Sequence, residues 1–221
     1  MKPVEIHFKF YQRLKEQGAV VNNVLDIGCH RGKWTEDLKI IYPDAKYFLI
    51  DVLPNYKKEL KKLGTVFIQG VGHKKENKNF YFSKDNLNNT GGSLYKERSN
   101  IAFAKKKISI KPLHQVVPDI IYDIIKIDVQ GAELDVIGGS LDLFKKVKWL
   151  QLECPIHKNN ESPYTYSDYV SMLHQIGFET FDINTVLVNN KLMYIDFIFV
   201  NKRLPKQICT EADQIEYKKN L

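Results

Sequence analysis

The chain has 221 residues, 43% hydrophobic and 27% charged, as expected for a soluble globular protein with one substantial core. Thirty-three basic against 26 acidic residues leave a net charge of +7. The lysines fall among Asn and Glu, so the excess reads as a solvated surface. No arginine-rich tract or aromatic–basic interleaving points to nucleic acid. Cys29, Cys154 and Cys209 stand far apart without zinc-ligand spacing, which argues against a structural metal. No apolar run approaches a membrane span, and nothing near Met1 resembles a signal peptide. A reducing cytoplasm is the expected compartment.

One domain is expected, with an N-terminal helix within residues 1–18, a core over 20–202 and a peripheral tail at 203–221. Residues 4–16 read as a helix, with Ile6, Phe10 and Leu14 on one face and Gly18 as the stop. Residues 20–27 form the first strand. It runs into VLDIGCHRGKW, where a turn carrying Gly28 and Gly32 precedes a helix with the apolar stripe Trp34, Leu38 and Ile41. Residues 46–50 are a second strand, ended by Asp51. Pro54 opens a helix through Tyr56, Leu60 and Leu63, and Gly64 closes it. Residues 65–69 are a third strand. This alternation is the signature of parallel βαβ units.

The middle breaks the rhythm. Residues 77–83 read as a short strand, 86–93 (NLNNTGGS) as a loop, and Ile108 and Ile110 as part of another strand. Long irregular stretches inside a compact domain tend to be functional. The rhythm returns with a strand over 122–127 ended by Asp128. The helix that follows carries Val136, Ile137, Leu141 and Phe144. Gly138 and Gly139 cost it about 1 kcal/mol each relative to alanine, so a kink or two short helices are expected. A strand over 148–152 ends in Glu153. Tyr169, Val170, Leu173 and Ile176 then define a helix stopped by Gly177. Residues 178–188 and 192–200 flank a turn at Asn189 and Asn190, an antiparallel hairpin.

Four parallel-type strands thus end in or beside an acid: Asp26, Asp51, Asp128 and Glu153. In an open α/β sheet, ligands bind outside the carboxyl ends of the strands. Singly, each acid has a plainer reading as a loop or helix-cap residue; Asp128 could cap the next helix. Asp51 lies where an acid accepts both hydroxyls of a nucleoside ribose. The turn is G-x-x-x-G and lacks the middle glycine that a dinucleotide pyrophosphate needs. That disfavours a nicotinamide oxidoreductase and favours S-adenosylmethionine, which has no phosphate.

With these residues in view, the chain resembles the FkbM-type family of S-adenosylmethionine-dependent methyltransferases. The matching pieces are VLDIGCHRGKW, FLIDVLP, FIQGVGHKKENKNFYFS with the later GGSL, IIKIDVQGAELDVIGGS, LQLEC, QIGFETFDI and YIDFIFV, in the family's order over about residues 20–202. The resemblance implies an α/β class I methyltransferase fold, a Rossmann-like, mostly parallel seven-stranded sheet with an antiparallel last strand and helices on both faces. It implies O-methylation of a hydroxyl on a glycan, glycolipid or natural-product acceptor. It places cofactor contacts at Asp26, Gly28, Cys29, His30, Gly32, Trp34, Asp51, Val52, Gly70, Val71 and Asp128. The family often has Asn at the position of His30.

A positioned base would help deprotonate a sugar hydroxyl. Asp128 is the first candidate, with Glu153 and Glu133 as bases or acceptor holders, while His30 is expected at the cofactor's amino-acid end. The loop at 86–93 and the insertion around it are expected to cover the acceptor pocket, and Tyr164 and Tyr166 would stack on a sugar or simply pack at a helix start. No metal is required by the spacing. Two alternatives are a nucleic-acid methyltransferase, permitted by the charge, and a non-catalytic cofactor-binding module. Residues 128–131 (DVQG) lack the tetrapeptide used on base amino groups.

Overall fold

The computed structural model describes residues 6–83, 91–98, 103–157, 160–188 and 190–204. Most of the expected 86–93 loop, Asn189, the tail from residue 205 and Cys209 lie outside the described residues. Helix α1 (Ile6–Glu16) leads to β1 (Asn23–Ile27), α2 (Lys33–Ile41) and β2 (Lys46–Asp51). After Pro54 the chain makes a 3-10 turn, Pro54–Tyr56, then the one-turn helix α3 (Lys57–Leu60) and β3 (Thr65–Ile68). This helix is shorter than the spacing predicts, because Leu60 is its one buried residue and gives it little apolar face to pack.

An insertion follows: β4 (Gly70–Val71), β5 (Glu76–Ser83) and β6 (Phe103–Lys111). They form a separate three-stranded sheet in the order β4-β6-β5. Strand β6 is longer than expected, because the three consecutive lysines 105–107 hide its alternation in the sequence. The main chain then resumes with β7 (Ile124–Ile127), α4 (Glu133–Gly138), α5 (Leu141–Phe144), β8 (Trp149–Pro155), α6 (Tyr166–Gln175), β9 (Phe178–Val188) and β10 (Lys191–Asn201). The glycine pair divides two short helices, as expected. A Cβ at Gly139 would lie 2.4 Å from the Gly72 carbonyl oxygen, so the break lets the insertion's backbone approach closely.

The main sheet has the order β3-β2-β1-β7-β8-β10-β9. The first five strands pair in parallel, and β10 runs antiparallel to both neighbours. Alternation along the strands sends successive side chains to two cores. Leu25, Ile27, Ile125, Ile127, Leu150 and Leu152 meet Leu134, Val136, Ile137 and Leu173 of the later helices. Val24, Ile124, Trp149 and Ile198 meet Phe8, Tyr11, Leu14, Leu38 and Ile41 of α1 and α2. Asp26, Lys126 and Gln151 are in register on that second face, one step nearer the carboxyl ends. The next row holds Glu153 and Asp196 in register, with Asp128 just past the end of β7.

Candidate active site

The turn after β1 is held to the neighbouring strand ends by its own backbone. The N–H groups of Gly28 and Cys29 both donate to the Ile50 carbonyl, at 2.9 and 3.1 Å, and the Asp128 N–H donates to the Ile27 carbonyl at 2.9 Å. Three residues of the turn are left-handed: Gly28 (φ 78°), His30 (φ 47°) and Gly32 (φ 79°). Asn and His tolerate that region better than most side chains, which explains how His30 stands where the resemblance often has Asn. The Asp51 carboxylate closes the turn. It accepts from the N–H of His30 and of Leu53, each at 2.8 Å. The Val52 N–H also bonds it, and the carboxylate keeps some acceptor capacity for a ligand. Burial raises its pKa, and those N–H bonds oppose the rise.

Two large cavities open at the carboxyl ends of the strands. The first has an empty volume of about 680 Å³ and apolar walls of Ile50, Val52, Phe80, Ile108 and Ile110, with Asp51 on its border. Gly70 and Val71 also line it. The second, about 850 Å³, is polar and contains Trp34, Lys126, Gln151, Glu153 and Asp196, with Cys29 at its edge. Gly28, His30 and Asp128 line both. The insertion therefore walls the apolar cavity beside Asp51. Among the described residues, none of the insertion lines the polar cavity.

The floor of the polar cavity is a connected network. Lys126 Nζ lies 3.1 Å from Asp128 Oδ2 and 3.7 Å from Asp26 Oδ1. Burial alone would lower the Lys126 pKa, but Asp128 and Asp26 outweigh it and raise it, so the ammonium persists. Gln151 Oε1 accepts from Tyr11 Oη at 2.7 Å and from Trp34 Nε1 at 3.1 Å. Gln130, left-handed at φ 57°, donates through Nε2 to Asp128 Oδ1 (2.7 Å) and to Glu153 Oε2 (2.8 Å). Burial, then Asp128 and Asp196, push Glu153 from an ordinary 4.5 up to about 8.

The folded state therefore holds a proton on Glu153 that the unfolded chain releases near pH 4.5. The associated stability is fully present below pH 4.5 and is lost as pH rises through about 8. Urea unfolding across that window is expected to show the decline, and Glu153→Gln to flatten it; equal slopes would remove the assignment.

Other candidates fall elsewhere. Glu133 is buried with four hydrogen bonds: Oε1 takes the N–H of Val129 and Gly131, and Oε2 takes the N–H of Gly131 and the Tyr169 hydroxyl. It ties down the 128–131 turn and lines neither large cavity, so its geometry is that of a support and departs from the expected base. Asp128 does not cap the next helix, whose N-cap is Ala132. Asp26 is fully buried, accepts from Thr35 Oγ1 at 2.7 Å and lines neither large cavity. Gly32 faces Leu60 and Leu63 beneath the turn. Tyr164 Oη is bonded to Asp135 Oδ1 at 3.0 Å, and Tyr166 is half exposed at the start of α6. Neither tyrosine lines the large cavities.

A family model described as the methyltransferase FkbM domain matches residues 26–193. The chain belongs to the FkbM methyltransferase family. It is an S-adenosylmethionine-dependent methyltransferase. None of the curated proteins matches it in sequence. Among solved structures, this FkbM-family chain is similar to magnesium protoporphyrin IX methyltransferase from Synechocystis PCC 6803. The form with bound S-adenosylhomocysteine is 11% identical with TM-score 0.55, over 90% of this chain and 81% of that one. The form with bound S-adenosylmethionine is 13% identical with TM-score 0.53, over 90% and 78%. A third similar structure is 1,6-didemethyltoxoflavin-N1-methyltransferase from Burkholderia thailandensis, 12% identical with TM-score 0.50, over 89% and 79%. These likenesses establish the class I fold of the FkbM-family chain.

The residues of this methyltransferase fit its cofactor. His30 Nε2 is buried with no hydrogen-bond partner among the described residues, and His30 lines both cavities. Burial lowers its pKa, so the ring is neutral and able to serve a ligand. Sequence reasoning missed Lys126, Gln151 and Asp196. A signal for the first two was present: in IIKID and LQLE, polar residues alternate with apolar ones two positions before each acid, which puts them on the acids' face.

Proposed function

We propose that this methyltransferase methylates a hydroxyl group of a carbohydrate, glycolipid or natural-product acceptor. The single observation that carries the reading is that Gly28, His30 and Asp128 line both cavities, so two ligands meet at that junction. The apolar cavity suits an adenine ring, with Asp51 accepting the two ribose hydroxyls. Val52, Gly70 and Val71 border the same moiety. The polar cavity suits the amino-acid end beside Cys29 and His30, and beyond it the acceptor. Trp34 offers an aromatic face and the acid row offers hydroxyl-binding oxygens there.

When bound, S-adenosylmethionine supplies an electrophilic methyl group. The chain's task is then alignment and proton removal. Asp128, at the junction and fixed by Lys126 and Gln130, orients the acceptor hydroxyl. Glu153, one strand further into the polar cavity, takes its proton. A carboxylate whose proton affinity lies near neutral pH does this better than an ordinary one. This departs from the sequence reading, which put Asp128 first as base.

Asp51→Ala is expected to weaken S-adenosylhomocysteine binding about ten- to a hundredfold, the loss of hydrogen bonds to a charged acceptor. Calorimetry checks this, and unchanged affinity would strip Asp51 of its role. The acceptor class is tested by transferring a labelled methyl group to glycan, lipid and nucleic-acid fractions of a host lysate. Label in glycan or glycolipid is the expected result; label confined to nucleic acid would overturn the reading.

A further inference from the structure

Ten basic and three acidic residues lie within residues 74–111, an excess of seven. Outside that segment basic and acidic residues number twenty-three each, so the insertion carries the whole net charge. The charge is concentrated on the small sheet, contrary to a scattered surface excess. Lys74, Lys75, Lys105, Lys106 and Lys107 are all exposed. Alternation assigns the two faces of the β5–β6 hairpin different work. Phe80, Ile108 and Ile110 point inward and wall the apolar cavity. Lys105 and Lys107 occupy the alternate, outward positions, opposite Tyr81 and Asn79, whereas Lys106 pairs with Phe80 on the other face.

We propose that this sheet is an electrostatic platform that docks the enzyme on the surface of an anionic lipid bilayer. None of these five lysines lines either large cavity, so no single anionic group is gripped. The charges are lysine ammoniums, strongly hydrated points that attract a charged surface without the planar fork that reads individual phosphates. A single-stranded nucleic acid would call for a groove with stacking aromatics. A flat array of exposed lysines instead matches an extended plane of negative headgroups, each lysine near such a surface adding about a fivefold gain in binding. Because the same two strands wall the apolar cavity, docking places the candidate active site beside the bilayer. The inference stands independently of the acceptor.

The test is co-sedimentation of the full chain with vesicles of phosphatidylcholine alone and of phosphatidylcholine mixed with phosphatidylglycerol. Binding is expected only to the mixed vesicles and to fall with added salt. K105Q/K107Q should weaken it about twenty-five-fold, while K57Q/K58Q, an equal charge loss on α3, should change it far less. Thermal melts and S-adenosylhomocysteine binding establish that both variants fold. Failure of the wild type to bind mixed vesicles, or equal losses in the two variants, would overturn the platform. So would preferential capture of RNA over the vesicles.

Discussion

Glu153→Gln lowers kcat by about a hundred- to ten-thousandfold, the usual contribution of a positioned general base. The substitution is nearly isosteric, and Gln130 can still bond the remaining carbonyl oxygen. S-adenosylhomocysteine affinity should therefore hold, since Glu153 lies in the acceptor part of the polar cavity, beyond the cofactor's amino-acid end, and lines no part of the apolar one. The pH profile separates a base from a mere support. Burial, Asp128 and Asp196 raise the carboxyl to about 8, so at lower pH most of it is already protonated and unable to take a second proton. Wild-type kcat should climb with pH and level off above about 8. The variant should lose that limb. A variant with low kcat and an unchanged profile would assign the base elsewhere, with Asp128 as the next choice.

Gly28→Ala is the second large effect. Its φ of 78° is left-handed, which costs a side-chain-bearing residue about 1–2 kcal/mol. The added Cβ would also lie 1.9 Å from the Asp128 carbonyl oxygen, a backbone atom that moves only if β1 and β7 part. Parting them breaks the bond from Asp128 N to Ile27 O, and shifting the turn instead strains the bond from Gly28 N to Ile50 O of β2. The combined loss is expected at about 3–5 kcal/mol, in the range of severe single substitutions, with cofactor binding abolished. Gly18 supplies the control: its φ is 84°, and a Cβ added there would meet nothing within 4 Å. Gly18→Ala should lose only the conformational cost of about 1–2 kcal/mol. Urea unfolding compares them, and equal losses would show that the collision is relieved.

Much of the frame was legible because it rests on local rules. Apolar runs ended by acids gave β1, β2, β7 and β8, helical spacing gave α1, α2 and α6, and the glycine pair gave the split between α4 and α5. Other features depended on distant neighbours. Glu133 carries the sequence pattern of a catalytic acid at a helix start. The left-handed pair Gln130 and Gly131 curls the chain, however, so that its carboxylate faces the turn's own N–H groups. Asp26 sits one step short of the strand end, and the Thr35 hydroxyl claims it from the following helix.

The sequence by itself determined the family, the parallel frame with its antiparallel hairpin, and the set of acids from which the site is built. Those properties follow from residue type and spacing along the chain. Only the tertiary structure decided which acids face a cavity and which are consumed as supports, because that depends on the register of strands far apart in sequence. Register put Lys126 between Asp26 and Gln151, and Glu153 beside Asp196. It also left Lys105 and Lys107 facing outward on the far side of a wall whose inner residues, Phe80, Ile108 and Ile110, line the apolar cavity.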